Sequence, residues 1–403
     1  MGVTGGTCRN FSHTADHDLL LVLHSSAQIC HIMEIIHLIL GKANPERMNG
    51  VNKVVHEMAT RQAVSGENIE VWGITEHPVH DYPARNYVTR LFQSGKNAFS
   101  LSDALKKEIC AKKAGTIFHL HGGFIPQMYS ASMWLKKHKI PFIITPHGSY
   151  NKIAMVKSKL IKQLYFRLFE RKILVAASSI HSLGQSEIDG LQSVFPNDKS
   201  VLIPYGLEPV KDMIPWENNG NFIVGYCGRL DLYTKGLIEL LQGFDLFRQT
   251  QEEAKLWIIG DGKEEDKQKL VEIAAERNMQ HSIVFFGSKY GEEKNNLLRK
   301  FNVLAAPSRN EGLPTIVLEA AAMGIPCLVT KATNTGDYID HYIAGIVIEK
   351  TDPKEICHGL KMLHRAMQTE IGTNTIRANA RRMVKEAFDW KLILGRFRKL
   401  YEA

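Results

Sequence analysis

The sequence predicts an α/β protein built from two Rossmann-like, doubly wound domains, and three observations support that prediction. The first predicted domain opens on a strand over residues 33–40, a helix over 51–65 with apolar residues at helical spacing, and a strand over 69–74. Such a βαβ unit implies a parallel sheet. A segment rich in Pro, Gly and Asn spans 207–220, and a second strand–helix series begins at 221. Two such halves enclose a central cleft, where ligands gather at the carboxyl ends of the strands.

The order of elements defines the predicted domains. Residues 32–206 form the first domain, 207–220 the linker, 221–387 the second domain, and 388–403 a C-terminal helix that could cross back to the first domain. The further elements predicted in the first domain are strands at Ile117–Leu120, Phe142–Thr145, Ser179–Leu183 and Ser200–Ile203 and a helix over Lys157–Val175. Those predicted in the second are strands at Phe222–Cys227, Leu256–Ile259, Ile283–Phe286, Val303–Ala306, Cys327–Val329 and Ile346–Ile348, and helices at Leu237–Thr250, Lys263–Arg277, Glu292–Lys300 and Pro314–Met323.

Composition predicts a soluble globular chain. Of the 403 residues, 44% are hydrophobic and 23% charged, and no apolar run approaches the roughly 20 residues that span a bilayer. Six scattered cysteines without a CxxC pair argue against a zinc site or a disulfide framework and favour a reducing cytoplasm. The formal net charge of +8 favours anionic partners, and nucleic acid, acidic lipid and phosphorylated small molecules all remain open.

The strongest functional motif follows a predicted strand and reads Glu311-Gly312-Leu313-Pro314-Thr315-Ile316-Val317-Leu318-Glu319. Pro314 suits the first turn of a helix, where its missing N–H costs nothing. The free N–H groups of that turn, together with the helix dipole, predict a phosphate site. Glu319, in the same helix, can accept hydrogen bonds from a ribose diol, and Glu311 can reach sugar hydroxyls beyond the phosphates.

Two further motifs follow strands of the second domain. Gly228-Arg229 and Lys235 come after an apolar strand, so their charged groups are expected at the edge of the cleft. Arginine offers a planar fork and lysine a compact charge, and together they would neutralise a departing nucleoside diphosphate. The tight turn Gly260-Asp261-Gly262 is weak alone, because the dinucleotide fingerprint GxGxxG fails at Glu265.

These motifs, in this order, resemble the family-4 type of GT-B glycosyltransferases. The resemblance covers roughly residues 200–403 and is looser over the first domain. The matching pieces of the second half are Gly228-Arg229 with Lys235-Gly236, Gly260-Asp261-Gly262, Pro307-Ser308, Glu311 with Glu319, and Phe388-Asp389-Trp390 leading to Tyr401-Glu402. Those of the first half are Asn49-Gly50-Val51, His119-Leu120-His121, Pro146-His147-Gly148 and Pro204-Tyr205-Gly206. Asn49 departs from the Gly-Gly loop of the family, and Tyr205 from its usual Pro-Asn-Gly.

The resemblance implies the GT-B fold and transfer of a sugar from a nucleotide sugar with retention, without a divalent metal or other cofactor. It implies that Arg229 and Lys235 hold the diphosphate, Glu319 the ribose and Glu311 the donor sugar. Two further roles fall in the first domain: a backbone N–H of Gly50 would reach the diphosphate, and His121 would lie near the anomeric centre. The predicted donor residues are Gly50, Gly228, Arg229, Lys235, Glu311, Gly312, Leu313, Pro314, Thr315 and Glu319, and the predicted catalytic residues are Arg229, Lys235, Glu311 and His121.

Each of these residues also has a plainer structural interpretation. The two glutamates and Lys235 could be solvated surface charges, and Gly50 a helix-entry glycine. His121 and His147 could be packed, satisfied histidines, and Cys227 and Cys327 are expected in the core. Residues 1–31, in which polar residues dominate, are expected to be a disordered or artefactual extension, so Asp16-His17-Asp18 within it is not interpreted as a metal motif.

The helix predicted near Lys152–Lys172 allows two interpretations. Seven basic residues lie there against the single acidic residue Glu170, interleaved with apolar residues such as Leu160 and Leu164. A basic amphipathic helix can lie in the interface of an anionic membrane, but a helix packed on the sheet with a solvated basic face gives the same pattern. A nucleic-acid partner is not expected, because no recognised binding module accompanies the patch.

The sequence therefore predicts a cytoplasmic glycosyltransferase, placed at the inner face of the membrane by the basic helix. Its donor would be a nucleotide sugar of the UDP or GDP type, and its acceptor a glycan of bacterial surface polysaccharide on a lipid carrier. The alternatives are a nucleotide-sugar epimerase on the same fold, a glycan phosphorylase, for which the chain looks short, and a non-catalytic subunit that binds nucleotide sugars.

Overall fold

The strands that the structure describes form two separate parallel sheets. A computed structural model describes residues 33–44, 50–112, 114–151, 155, 159–208 and 220–403, and Met33–Ala403 form one unit. Several predictions lie outside the described residues, namely the extension over 1–31 with Asp16-His17-Asp18, Asn49 in the first loop, and most of the linker over 207–220.

Seven strands form the first sheet: β1 Glu34–Leu40, β2 Asn68–Thr75, β3 Val88–Gln93, β4 Thr116–His121, β5 Phe142–Thr145, β6 Ser179–Ser182 and β7 Ser200–Leu202. Their order is β3-β2-β1-β4-β5-β6-β7. Strands β2 and β3 are therefore added on one side of β1 and strands β4 to β7 on the other, so the strand order reverses between β1 and β4. All six residues of β4 are buried, as expected for a parallel strand with helices on both faces. His37 of β1 lies opposite His119 of β4 in register, which brings polar residues into this core.

Six strands form the second sheet: β8 Ile223–Cys227, β9 Lys255–Ile259, β10 Ile283–Gly287, β11 Val303–Ala306, β12 Cys327–Thr330 and β13 Gly345–Ile348. Their order is β10-β9-β8-β11-β12-β13, with the reversal between β8 and β11. A reversal of this kind opens a crevice at the carboxyl ends of the two adjacent strands. The predicted fold class, two Rossmann-like domains, is confirmed.

The helices lie between these strands. Those of the first half are α1 Gly50–Val64, α2 Asp103–Cys110, α3 Pro126–Lys137, α4 Lys159–Tyr165, α5 Arg171–Ala176 and α6 Gln185–Gln192. Those of the second half are α7 Leu232–Lys235, α8 Leu237–Arg248, α9 Glu264–Glu276, α10 Gly291–Leu298, α11 Thr315–Ala322, α12 Gly336–Tyr342, α13 Pro353–Ala366, α14 Glu370–Ala387 and α15 Trp390–Glu402. Within the described ranges, none of them has the length and apolar character needed to cross a bilayer.

The structure differs from the sequence prediction at one strand and within one helix. Strand β3 was not predicted, because at this sheet edge only Phe92 of its six residues is buried and the apolar signal is weak. The single helix predicted over Lys157–Val175 is divided between α4 and α5 by a π-helical turn, Phe166–Glu170. Glu170, the last residue of this turn, is buried and accepts from the Phe124 N–H at 2.9 Å.

The C-terminal helix lies against the first domain. Arg396 of α15 donates to the Leu202 carbonyl at 2.6 Å, and Tyr401 meets His119 at 2.9 Å. One hydrophobic cluster contains Val55 of the first domain and Leu313 of the second, so the two domains share part of their core. The loops at the carboxyl ends of the two sheets are therefore held close to each other.

Candidate functional site

The reversal point of the second sheet carries most of the predicted donor residues. Gly228 and Arg229 directly follow β8, Lys235 is the last residue of α7, and Glu311 lies in the loop between β11 and α11. Because β8 and β11 are adjacent, these loops lie side by side. The local fold depends on Gly236, whose left-handed φ of 67° and close approach to the Pro307 carbonyl leave no room for a side chain.

Lys235 and Glu311 form a direct ion pair. Each side chain is 18% exposed, so the pair is largely shielded but still reached by solvent. The Ser308 hydroxyl donates to the same carboxylate oxygen at 3.2 Å. The lysine ammonium and the carboxylate predicted to act on one donor are therefore already in contact.

Glu319 of α11 is held by two lysines, one from each domain. Its Oε1 lies 2.9 Å from Nζ of Lys53 on α1, and its Oε2 pairs with Nζ of Lys294 on α10. Burial alone would raise the pKa of Glu319, but the two ammonium groups outweigh it and lower the pKa. Neither lysine was predicted, since a lone lysine on a helix gives no signal until the fold brings it to a carboxylate.

A cavity of about 670 Å³ opens beside Glu319. Lys53 and Glu208 line it from the first half of the chain, and Tyr290, Lys294 and Glu319 from the second domain. Its volume lies in the usual range for a small-molecule site. Cys227 at the end of β8 is near the same charges: burial raises the pKa of its thiol to about 11, and Lys294 and Lys53 oppose that rise.

Arg229 is not joined to this cluster. Its side chain is 63% exposed and pairs with Asp231 at 3.2 Å rather than with either glutamate. The backbone carbonyl of Arg229 accepts from the Tyr226 hydroxyl at 2.7 Å, and a side chain at Gly228 would meet that hydroxyl at 3.1 Å. The hydrogen bond holds the Arg229 backbone, while its guanidinium remains exposed to solvent.

The segment between Glu311 and α11 is only partly as predicted. Helix α11 begins at Thr315, and Pro314 is an extended residue directly before it (ψ 100°) rather than part of the first turn. Leu313 is buried in the shared core, so its side chain serves packing. Gly312 touches the first domain: a Cβ there would lie 3.4 Å from the Gly148 nitrogen, a contact that a larger side chain would disturb.

Two asparagines fix the backbone of the Glu311 loop from outside. Asn151 of the first domain donates to the Glu311 carbonyl at 2.9 Å and to Asn310 at 2.7 Å. Asn334 donates to the Glu311 carbonyl at 3.1 Å and accepts from the Ser186 hydroxyl of the first domain at 2.6 Å. The conformation of the loop that carries Glu311 thus depends on contacts across the cleft.

The residues predicted to act in the first domain, Gly50 and His121, differ in how accessible they are. Gly50 is the first residue of α1, with open space at its Cβ position, so its role at a phosphate stays a prediction. His121, at the end of β4, is 1% exposed, and both ring nitrogens are hydrogen-bonded, to His37 and to His147 at 3.0 Å each. In this conformation it presents no nitrogen to the cleft. His147 is partly exposed and adopts a left-handed φ of 54°.

Within the described part of the chain, three histidines could supply metal ligands. The ligand atoms of His37, His119 and His121 lie within 4.8 Å of one another, and imidazole suits zinc. Each ring is already hydrogen-bonded through both nitrogens, however, so a metal would have to replace several of these bonds. The donor set fits a metal in chemistry but not in its present bonding.

Comparison with known families agrees with this architecture. The family described as Glycosyltransferase Family 4 matches residues 48–211, and the family described as Glycosyl transferases group 1 matches residues 212–382. The two matches are consecutive and together cover both domains. The chain belongs to the family-4-type GT-B glycosyltransferases.

Individual relatives of this glycosyltransferase are distant. An uncharacterised glycosyltransferase of Methanocaldococcus jannaschii is 26% identical over 303 residues, which cover 73% of this chain and 78% of that one. The capsular polysaccharide biosynthesis glycosyltransferase CapM of Staphylococcus aureus is 27% identical over 186 residues, 45% of this chain and 46% of that protein. In structure, HepE of Anabaena, solved with UDP and glucose, gives a TM-score of 0.68 at 14% identity and covers 92% of this chain and 100% of that one.

The geometry defines what the glycosyltransferase offers a ligand. Two groups of charged side chains are formed around the second sheet, Glu311 with Lys235 and Glu319 with Lys53 and Lys294. The carboxylates can accept from hydroxyl groups, and the ammonium groups can bind phosphate oxygens. The site is therefore suited to a ligand that carries both hydroxyl and phosphate groups.

Proposed function

We propose that this glycosyltransferase transfers a sugar from a nucleoside diphosphate sugar to a glycan acceptor with retention of anomeric configuration. The observation that carries the proposal is the pairing of Glu311 with Lys235 and of Glu319 with Lys53 and Lys294. The Glu319 group lines the cavity of about 670 Å³. Pairs of opposite charge that are only partly buried can exchange partners with a ligand that carries both kinds of group. A nucleotide sugar brings ribose and sugar hydroxyls for the carboxylates and a diphosphate for the lysines.

The proposed position of the donor is defined by the residues that each part of it would contact. Glu319 would accept from the ribose diol, Lys235 and the accessible Arg229 would bind the diphosphate, and Glu311 would orient the sugar. The N–H groups at the start of α11 would add donors for phosphate oxygens. That HepE was solved with UDP and glucose supports a UDP-type donor.

In the proposed reaction, the bond between the anomeric carbon and the diphosphate oxygen breaks. A bond between that carbon and an acceptor hydroxyl oxygen forms on the same face, and the acceptor proton passes to the departing phosphate. Lys235 and Arg229 would stabilise the negative charge that develops on the diphosphate. With these cations supplied by the protein, we propose that the reaction needs no divalent metal.

A thermal-shift screen against UDP, GDP, ADP and their sugars tests the donor. We expect one nucleotide series to raise the melting temperature, because a ligand that binds only the folded state stabilises it by mass action. The matched control is Glu349→Gln, which removes an exposed carboxylate paired with Lys331 and should leave the shift unchanged. The Glu319→Gln variant should reduce it. No shift with any nucleotide at millimolar concentration would overturn the proposal.

The configuration of the product tests retention. With the donor identified, NMR of the product should show the same anomeric configuration as the donor sugar. An inverted product would reject the retaining mechanism while leaving transfer itself intact. Activity that persists after chelation of divalent ions, and that added Mg²⁺ or Mn²⁺ does not raise, is expected for the metal-independent reaction.

For the acceptor, we propose a lipid-linked glycan of surface polysaccharide, supported by the similarity to CapM. Helices α4 and α5 supply the surface for the lipid. Leu160, Ile161, Leu164 and Leu168 are 81%, 75%, 60% and 46% exposed on this segment. The exposed basic residues Arg167, Arg171 and Lys172 lie between and after them, whereas Phe166, Ile173 and Leu174 face the core. Lys152–Ser158, at the start of the predicted basic helix, lie outside the described residues except for Met155.

Vesicle co-sedimentation tests this surface. The protein should bind vesicles containing phosphatidylglycerol more than vesicles of phosphatidylcholine alone, because apolar burial and attraction to anionic lipid act together. Ile161→Glu should reduce the bound fraction. Ile371→Glu is the matched control, since Ile371 is 81% exposed on a helix of the second domain. Equal loss in both variants, or no binding by the wild type, would reject the membrane contact.

A further inference from the structure

The face of the first sheet that α15 covers contains five histidines that belong to one chain of hydrogen bonds. Some of them bond directly to each other, and others are joined through Thr145, Tyr401 and Gln62. Burial in such a core normally selects apolar residues, and polar groups are tolerated there when every donor and acceptor is satisfied. His37, His119, His121 and His181 are at most 1% exposed, and His147 is partly exposed.

The direction of this chain is set at one end by a backbone carbonyl. Nε2 of His181 lies 2.6 Å from the Ile203 oxygen, which can only accept, so Nε2 carries the proton and Nδ1 is an acceptor. The Thr145 hydroxyl must therefore donate to that Nδ1, at 2.7 Å, and accept from Nε2–H of His119 at 2.5 Å. His119 Nδ1 is then an acceptor, and it takes the proton of the Tyr401 hydroxyl at 2.9 Å.

The same logic continues through Gln62 to the cleft. The tyrosine oxygen accepts from the Gln62 amide nitrogen at 3.4 Å, which turns the amide oxygen toward Nε2–H of His37 at 2.8 Å. His37 Nδ1 accepts from Nε2–H of His121, and His121 Nδ1 from Nε2–H of His147, each at 3.0 Å. The chain ends at His147 Nδ1, which accepts from the Tyr205 hydroxyl at 3.3 Å.

We propose that Tyr401 and Gln62 are positioning residues, which fix His37, His121 and His147 as neutral Nε2–H tautomers through one unidirectional hydrogen-bond chain. The chain joins the C-terminal helix to the place where the first domain meets the Glu311 loop. His147 directly precedes Gly148, and a Cβ on Gly148 would lie 3.1 Å from Gly312. Orientation of the His147 ring, and of the backbone beside it, thus depends on a tyrosine hydroxyl at the other end of the chain.

Neutrality of the rings follows from the same geometry. A protonated imidazole has two donors, so protonation of His37 or His121 would set its Nδ1–H against the ring N–H of the next histidine. Burial lowers the pKa of His37 and His181 to about 4 and that of His147 to about 3. Burial, aided by the neighbouring histidines, also lowers the pKa of His119 and His121.

NMR of the full chain with ¹⁵N-labelled histidine tests the proposal without any substrate. Long-range correlations distinguish protonated from unprotonated ring nitrogens, and single substitutions assign each ring. At pH 7.5 the wild type should show all five histidines as neutral Nε2–H tautomers. An Nδ1–H or charged state at any of the five in the wild type would overturn the chain.

Tyr401→Phe then separates the hydroxyl from the packing of the ring. Without the hydroxyl, the Gln62 amide can turn over, and His37, His121 and His147 should become mixtures of both tautomers. His119 and His181 should remain Nε2–H, because the Ile203 carbonyl still fixes their direction. The matched control is Tyr87→Phe, which removes another buried hydroxyl bonded to a histidine, His56, at 2.7 Å and should change His56 alone.

Gln62→Met is the second variant, in case Tyr401→Phe does not fold. Methionine has a similar size but no amide, so the variant loses the hydrogen bond that fixes the tautomer of His37. We expect His37, His121 and His147 to become mixtures of both tautomers, as in Tyr401→Phe. A purely structural role for Tyr401 and Gln62 predicts that all five rings keep their tautomers. That result, in whichever of these two variants folds, would overturn the assignment.

Discussion

The two domains stabilise their inward-facing polar groups in opposite ways. At the second domain, charged groups of both signs form partly exposed pairs: Glu311 with Lys235, and Glu319 with Lys294 and with Lys53 of the first domain. In the first domain, a chain of uncharged histidines, with Gln62 and Tyr401 between them, is closed off from solvent over most of its length. The charged groups can exchange partners with a ligand, whereas the histidines already have all their hydrogen bonds formed within the protein.

The contrast has a physical reason. Ion pairs near solvent lose little when a ligand replaces one partner, because new charge-assisted bonds form in the same place. Neutral groups deep in a core have no such replacement, and leaving one unsatisfied costs roughly 1–3 kcal/mol. We therefore expect substitutions in the charged pairs to change binding and transfer, and substitutions in the histidine chain to affect stability and geometry.

The largest expected effect is loss of transfer in Lys235→Ala. This change removes the ammonium next to Glu311 and the charge proposed to stabilise the departing diphosphate, for which a fall in rate of roughly 10²–10³-fold is expected. Transfer assays with the identified donor measure it. Lys331→Ala, which also removes a lysine paired with a glutamate but at the exposed Glu349, is the control. Full activity in Lys235→Ala would falsify the site assignment.

Lowering the pH is expected to reduce the free energy of unfolding by a large amount. The five histidines of the chain have lowered pKa values when folded, so below pH 6.5 the unfolded state binds protons first and stability falls, by roughly 1 kcal/mol per histidine per pH unit. Two buried glutamates act in the opposite direction. Burial raises the pKa of Glu170 and Glu187 to about 7, so their contribution to stability increases as the pH falls from 7.

Five histidines outweigh two glutamates, so the free energy of unfolding should fall by a few kcal/mol between pH 6.5 and 5.5. Denaturant unfolding at pH 7.5, 6.5 and 5.5 measures it. A control is His281→Gln, because His281 is not part of the hydrogen-bonded histidine chain. This variant should leave the pH dependence of the unfolding free energy unchanged. A stability that is constant or rises over this interval would contradict the neutral histidine chain.

A smaller effect, on affinity, is expected for Glu319→Gln. The amide keeps the size of the side chain but loses the charge and one acceptor oxygen, so a hydrogen bond to a charged group worth about 1.5–3 kcal/mol is weakened. The dissociation constant of the nucleotide should rise roughly tenfold or more. Calorimetry with the nucleotide found in the thermal screen measures this change. If Glu349→Gln weakens binding equally, Glu319 has no specific role at the ribose.

The same contrast explains what could be predicted from the sequence. Strand and helix periodicity predicted both sheets, since each central strand is an apolar run. Lys235 and Glu311 were both predicted at the donor, because each lies in a motif after a strand of the second domain. Edge strand β3 and the π-helical turn at Phe166–Glu170 were not predicted, because a weak or shifted pattern of burial leaves little periodic signal.

The residues of the site that were not predicted have one feature in common. Lys53 and Lys294 reach Glu319 from helices far apart in sequence, and Tyr401 reaches His119 from the far end of the chain. Such contacts depend on how helices pack, which short-range spacing does not report. His121 was expected near the anomeric centre, and only its hydrogen bonds to two other histidines showed that it is occupied within the first domain.

The smallest expected effect comes from Lys53, the first domain's single lysine in contact with Glu319 among the described residues. Lys53→Met keeps the length of the stem but removes the ammonium, and Lys294 still pairs with the carboxylate. Because Lys53 is 40% exposed, solvent screens the pair, and loss of about 0.2–1 kcal/mol of stability is expected. Denaturant unfolding measures this loss.

The same variant also separates the two roles that Lys53 could have. If Lys53 only holds the domains together in the absence of ligand, Lys53→Met leaves nucleotide affinity unchanged or slightly stronger, because one competitor for Glu319 is gone. If Lys53 moves to the diphosphate when the donor binds, affinity for the nucleoside diphosphate falls while affinity for the nucleoside alone does not. Lys106→Met, which removes a lysine paired with Asp103 on a helix of the same domain, is the control for loss of a surface charge. Because Lys53 lies one turn from Gly50 at the start of α1, where helix N–H groups favour phosphate, we expect the second result.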